Sequence, residues 1–229
     1  MTSPLHLSKA DLRRLSELTL PQLFTEIYRK QLWGSGHAGQ YFSGSGSHDP
    51  SVVDPYLEML KNFILRLDNR PVIVDLGCGD FQVGAQLSKL AEHYHGCDIV
   101  PDLIEFLRKN NRQDNVEFHC LDATEEGLPD GDVLIVRQVF QHLSNNDIVK
   151  ILQQFQRYRY ILVTEHLPKT AFSANKNKPN GPDTRLRWQS GVDLLQPPFN
   201  LQVNNALTLC QSDDPLYSST VIKTVLYEI

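Results

Sequence analysis

The chain contains no apolar run approaching the ~20 residues needed to cross a membrane, which argues against a membrane partner. Its first twenty residues carry Lys9, Asp11, Arg13, Arg14 and Glu17 without a long apolar stretch, so no secretory signal peptide is expected. No Cys-x-x-Cys pair occurs, so neither a zinc ribbon nor a redox motif is expected. The four cysteines, Cys78, Cys97, Cys120 and Cys210, fit unpaired thiols in a reducing cytoplasm, and three sit beside apolar runs. Positive charge is also in short supply. A net charge of -5 argues against a nucleic-acid binder that relies on bulk electrostatics, though a local basic patch remains open.

What is present is the material of one globular domain. The 229 residues are 41% hydrophobic and 21% charged, enough for a sizeable core. Leu12 and Leu15, then Leu20, Leu23, Phe24 and Ile27, recur at helical spacing and predict one or two helices within residues 1–30. Gly and Ser dominate a loop from Trp33 to about His48, in which His37 reads as solvated. Asp54-Pro55 reads as the cap and first residue of a helix whose apolar face holds Tyr56, Leu57, Leu60, Phe63, Ile64 and Leu67. Residues 1–50 are thus expected to form a helical cap and loop, and residues 51–229 the main domain.

From residue 71 the pattern alternates between strand and helix. Strands are expected at 72–74, 94–99, 116–120, 133–136 and 160–163. Helices are expected at about 82–92, after Pro101, and after Ser144, which forms a capping pair with Asp147. Residues 166–199 form a polar, substrate-side loop of a length that is usually functional or mobile. Two alternating runs, 200–211 and 218–228, read as a closing antiparallel pair. The fold class is α/β: a doubly wound, mostly parallel seven-stranded sheet with an antiparallel final strand, helices on both faces and an N-terminal helical cap.

The most informative segment is Val72-Ile73-Val74-Asp75-Leu76-Gly77-Cys78-Gly79, in which a buried strand ends in an acid and a Gly-x-Gly turn. A nicotinamide dinucleotide turn would read Gly-x-Gly-x-x-Gly, but Gln82 occupies the third glycine position. Asp75 to Gly79 resembles the first motif of class I S-adenosylmethionine-dependent methyltransferases. Gly96-Cys97-Asp98-Ile99, Cys120-Leu121-Asp122-Ala123 and Arg137-Gln138-Val139-Phe140-Gln141-His142-Leu143 resemble the later motifs, in order. The resemblance covers residues 54–165 well. It implies that Asp75 meets the ammonium of S-adenosylmethionine through water and that Asp98 meets the ribose hydroxyls. It also implies that Asp122 meets the adenine amine, with the Ala123 amide on a ring nitrogen. Gly77, Cys78, Gly79 and Ile99 would complete the cofactor site, with Arg137 and Gln138 walling the methionine end. For each acid taken singly, a turn or cap role is the alternative.

The implied activity is methyl transfer to oxygen or nitrogen of a small molecule. Alternatives are an NAD(P)-dependent oxidoreductase and a catalytically silent cofactor-binding homologue. His142 and His166 are the candidate bases, with a local backbone bond as the alternative role for His142. Tyr28 and Trp33 are candidates to fold over the site, or simply to pack an N-terminal helix on the core. Arg185 and Arg187 are candidates to bind an anionic substrate group, against a solvated loop. Gln196-Pro197-Pro198-Phe199 resembles an amino-methyltransferase motif, but it follows the fifth strand rather than the fourth. No Pro-Cys pair supplies a cytosine-C5 nucleophile. No metal ligand set is expected. Asp98→Ala is expected to weaken S-adenosylmethionine binding by roughly 1–3 kcal/mol in titration calorimetry. Unchanged affinity in a folded variant would remove the ribose assignment.

Overall fold

A computed structural model describes residues 9–36 and 41–229, with side chains from residue 13 onward. His37 and the side chain of Leu12 therefore lie outside the described residues. Two short helices, α1 (Lys9–Ser16) and α2 (Leu20–Arg29), lead into α3 (Pro50–Ile64). There follow β1 (Val72–Leu76), α4 (Gly84–Leu87), β2 (His93–Asp98), α5 (Pro101–Asn110), β3 (Val116–Cys120) and β4 (Val133–Arg137). The chain closes with α6 (Asn145–Leu152), β5 (Tyr160–Pro168), β6 (Asn205–Asp213) and β7 (Thr220–Glu228).

The seven strands form one sheet in the order β3-β2-β1-β4-β5-β7-β6. β1 to β5 pair in parallel, and β7 runs antiparallel to both neighbours. The order reverses between β1 and β4, so right-handed crossovers lay successive connections on opposite faces. A crevice opens where they part, at the carboxyl ends of the strands. β1 and β4 are buried on both faces, which is why Val-Ile-Val and Val-Leu-Ile-Val are continuous apolar runs rather than alternating ones. Leu23, Phe24 and Ile27 of α2 join the same core as α3 and the sheet, so the N-terminal helices have no separate core.

The start of α3 differs from the sequence expectation by five residues. The cap is Asp49, whose carboxylate accepts the Ser51 N–H at 2.9 Å, and Pro50 is the first helical residue. Pro55 lies inside the helix, where it forfeits one backbone bond. Burial of Val52 and Val53 offsets that loss. The helix expected over 82–92 is only α4 plus a 3-10 turn at Ser88–Leu90. Asn115 stops it by donating to the carbonyls of Ser88 and Ala91.

Residues beyond β5 form an irregular but pinned segment rather than a mobile one. The Asn175 side chain donates to the carbonyls of Asp193, Gln196 and Pro197, and accepts the Asp193 N–H. Arg185 is 1% exposed. Its guanidinium donates to the carbonyls of Lys176, Phe140 and Leu143 and to Asn145 Oδ1. This corrects the expectation that Arg185 meets substrate: its donors are consumed in joining the segment to the turn after β4. Arg187 is exposed, paired with Asp183 and laid over the Trp188 ring at 4.2 Å. Arg185→Ala is expected to lower unfolding free energy by about 2–5 kcal/mol in urea melts, since it strands buried carbonyls. Arg187→Ala should cost under about 1 kcal/mol.

Candidate active site

The turn after β1 is built for close approach. Gly77 and Gly79 adopt left-handed conformations with φ of 74° and 56°. A Cβ on Gly77 would lie 2.4 Å from Val139 Cγ2, and one on Gly79 would lie 2.3 Å from Ser43 Oγ. Asp98 at the tip of β2 ties this turn down. Its Oδ2 accepts the Gly79 N–H and its Oδ1 accepts the Val100 N–H, both at 3.1 Å. Asp75 accepts the Tyr94 hydroxyl at 2.7 Å. Asp122 accepts both the N–H and the hydroxyl of Thr124 through Oδ1, the turn role weighed for it from sequence. An ionised carboxylate has about four acceptor sites, so each acid keeps capacity for a ligand.

Burial pushes the carboxyls of Asp75 and Asp98 up to about 6 from an ordinary 3.8. The Tyr94 hydrogen bond and Arg137 oppose the rise at Asp75, and N–H groups of Val100, Gly79 and Ile99 oppose it at Asp98. Two desolvated acids side by side cost free energy in the empty chain, which a cationic ligand would relieve.

The Gly/Ser loop is fastened across the site. The Ser43 N–H donates to Asp80 Oδ2, and the Asp80 N–H donates to Ser43 Oγ, each at 2.8 Å. His48 Nε2 meets the same carboxylate at 2.7 Å, and the Tyr28 hydroxyl lies 3.0 Å from Ser43 Oγ. Arg137 donates to Ser47 Oγ at 2.9 Å and to the Gly46 carbonyl. Trp33 donates its indole N–H to the Pro182 carbonyl and lies 4.8 Å from the His142 ring.

These groups surround one cavity of about 350 Å³. It follows the sheet order, from Asp122 at β3 through Asp98 and Asp75 to Arg137 at β4, then His166 at β5 and Asp214 beyond β6. The cofactor residues expected from sequence, both histidines, Tyr28 and Trp33 all line it; Arg185 and Arg187 do not. Arg137 Nε, Gln141 Oε1 and His142 Nδ1 are buried there without a hydrogen-bond partner among the described residues, as expected of a wall made to meet a polar ligand. Burial and nearby Lys178 push the His142 imidazole down to about 3, so it stays neutral. His166 Nε2 meets Asp214 at 2.5 Å and the Thr220 hydroxyl at 3.0 Å. Burial alone would raise the Asp214 carboxyl, but bonds from His166, Leu216 and Thr220 bring it below its ordinary value.

Sequence reasoning missed Ser43, Asp80 and Asp214. Asp80 adjoins the Gly-x-Gly turn and Ser43 belongs to a segment whose composition marked it as a loop. Nothing local marks Asp214, which reads as part of a hairpin turn.

A Gly-x-Gly turn between acids at successive strand tips, on a sheet of this order, defines the class I methyltransferase architecture. Residues 73–159 match the family model described as a methyltransferase domain. Over residues 73–159 the chain is therefore similar to a methyltransferase domain, and its sheet resembles those of S-adenosylmethionine-dependent methyltransferases. It is 37% identical over 76 residues to malonyl-[acyl-carrier protein] O-methyltransferase of Bacillus cereus, covering 32% of this chain and 28% of that protein. It is 25% identical over 152 residues to the human tRNA (uracil-5-)-methyltransferase homolog A, covering 59% of this chain and 24% of that protein. The matches thus span about a quarter of each curated relative's length. In structure it is similar to the N-methyltransferase NodS from Bradyrhizobium japonicum WM9 in complex with S-adenosyl-L-homocysteine (TM-score 0.60, 11% identity, 89% of this chain and 97% of that one). It is also similar to magnesium protoporphyrin IX methyltransferase from Synechocystis PCC 6803 with the same ligand (TM-score 0.57, 14% identity, 91% and 98%). Among the described residues no helix is long and apolar enough to cross a membrane.

The Asp75 and Asp98 carboxyls predict a pH dependence of defined sign. Both are raised in the folded chain, so their contribution to stability is fully present below about pH 4 and is lost as pH rises through about 6. Affinity for cationic S-adenosylmethionine moves oppositely, and should strengthen between about pH 5 and pH 7.5 as they ionise. Titration calorimetry across that range checks this; flat affinity would contradict it. Gly77→Ala should weaken S-adenosylhomocysteine binding at least tenfold, roughly 1.4 kcal/mol, because it adds strain and a clash with Val139.

Proposed function

We propose that this chain transfers a methyl group from S-adenosylmethionine to an oxygen or nitrogen of a small-molecule acceptor. The observation that carries the reading is the order of polar groups along one cavity. Acids come first, from β3 to β1, then Arg137 and Gln138, and then the His166–Asp214 pair. Asp122 and Ala123 would hold the adenine, Asp98 the ribose diol and Asp75 the ammonium. When bound, the cofactor supplies a methyl group already activated by its sulfonium. The chain's own task is then to align the acceptor, exclude water and take a proton.

His166 is the proposed base. Asp214 fixes its Nε2 side, which leaves Nδ1 to accept a proton from the acceptor. Neutral His142 serves as a wall with Trp33 rather than as a base. The fastened Gly/Ser loop and the cavity's size support a small acceptor. The name of the Bacillus cereus relative supports oxygen as the nucleophile. The human relative acts, by its name, on uracil C5 of tRNA, chemistry for which the notable thiol lining this cavity is Cys78. That thiol is buried in the Gly-x-Gly turn and pushed well above its ordinary value by burial and nearby acids, which disfavours it as a nucleophile.

Calorimetric titration with S-adenosylhomocysteine and with NAD separates a methyltransferase from an oxidoreductase. Turnover of labelled S-adenosylmethionine with a pool of small acceptors, and separately with tRNA, separates an active enzyme from a silent homologue. His166→Ala should lower kcat by about 10²–10⁴-fold while S-adenosylhomocysteine affinity holds, and Asp214→Asn should shift the pH–rate profile. An unchanged rate in both variants would remove the dyad from the mechanism.

A further inference from the structure

Methyl transfer leaves unused a group of side chains lower down on the β2–β3 edge. In the parallel register His95 lies opposite Glu117 and Cys97 opposite His119. Alternation sends Tyr94 and Phe118 to one face, where they pack on Phe81. It sends His93, His95, Glu117 and His119 to the other. The connection from β3 to β4 contains no helix, so this face lacks the crossover helix that would ordinarily cover it. The three histidine side chains are 36%, 15% and 25% exposed, in chain order.

Their ligand atoms converge. Glu117 Oε2 lies 3.6 Å from His93 Nε2, and 3.7 Å from both His95 Nδ1 and His119 Nε2. The donor atoms of His93, His95 and Glu117 all lie within 4.8 Å of one another. His95 Nδ1 and His119 Nε2 face each other at 2.9 Å, so one proton must be held between them. Ligand atoms around a tetrahedral zinc ion, bound at about 2.0–2.1 Å, sit about 3.3 Å apart. The 2.9–3.7 Å spacings around Glu117 and between His95 and His119 bracket that value; His119 lies outside the set of three that converge mutually, so its ring must turn toward His93 to complete the shell.

We propose that His93, His95, Glu117 and His119 form a binding site for one divalent transition-metal ion of the zinc type. Imidazole-rich donors with one carboxylate suit Zn²⁺, Ni²⁺ or Cu²⁺ and not Ca²⁺ or Mg²⁺. The metal replaces the proton shared by His95 and His119 and joins edge strand β3 to β2. Burial is the largest cause holding both imidazoles below their ordinary value; Glu117 opposes it at each, while His93 and His119 add to it at His95, and Arg108 and His93 at His119. The site lies about 10–16 Å down β2 from Asp98 and on the other face, so the metal would act on stability rather than on the reacting atoms.

The test uses the full chain without a polyhistidine tag, titrated with ZnCl₂ by calorimetry and with Co²⁺ by visible absorption. One equivalent should bind, with the intense d–d bands of low-coordinate cobalt, and zinc should raise the melting temperature. The partly exposed double variant Glu117→Gln/His119→Gln should lose zinc affinity at least about tenfold while still binding S-adenosylhomocysteine, which shows that it is folded. His166→Gln, which removes a histidine–carboxylate pair elsewhere in the chain, should keep the metal. Absence of zinc binding, equal binding by the double variant, or loss of binding in His166→Gln would each overturn the proposal.

Discussion

The structure depends on one constraint: the backbone leaving β1 must double back through two left-handed residues and remain against the tip of β2. The Gly79 N–H bond to Asp98 secures that path. Everything that encloses the cavity is referred to it. Asp80, next in the chain, receives Ser43 and His48, and so brings the Gly/Ser loop over the crevice. Val139, on the turn after β4, occupies the space that a Gly77 side chain would need. Two missing side chains thus set where two distant loops rest.

Charge is arranged on the same frame. Asp75 and Asp98 are almost wholly withdrawn from water, and partial compensation from Tyr94 and from backbone N–H groups keeps them competent as acceptors. Arg137 is shared between the Gly/Ser loop and the field of Asp75. Toward β5 the polarity is different. His142 is held neutral, whereas His166 is set beside a carboxylate. Two histidines at the ends of neighbouring strands, β4 and β5, are thereby given different chemistry by depth and by neighbour, not by residue type.

The sheet was legible because its signals are local. Continuous β-branched runs, the Ser144–Asp147 cap and Pro101 each act within a few residues, and the structure has the expected strands and helices at those places. Two Asp-Pro pairs precede the apolar face of α3, and local rules favour either as the start. Burial of Val52 and Val53 selects the earlier one. Arg185 beside Trp188 has the composition of an exposed anion site, yet it is buried because two carbonyls of the turn after β4 and that of Lys176 face it and need donors.

By itself the sequence determined the strand–helix alternation, the Gly-x-Gly turn and the acids at three strand tips, since each follows from backbone preference or from the order of elements along the chain. Tertiary structure alone decided that Asp214 would reach His166, that Ser43 would meet Asp80, and that His93, His95, Glu117 and His119 would share one face. Those meetings depend on strand register and loop closure over long separations. No periodicity encodes them, because the contacts are made between elements and not within them.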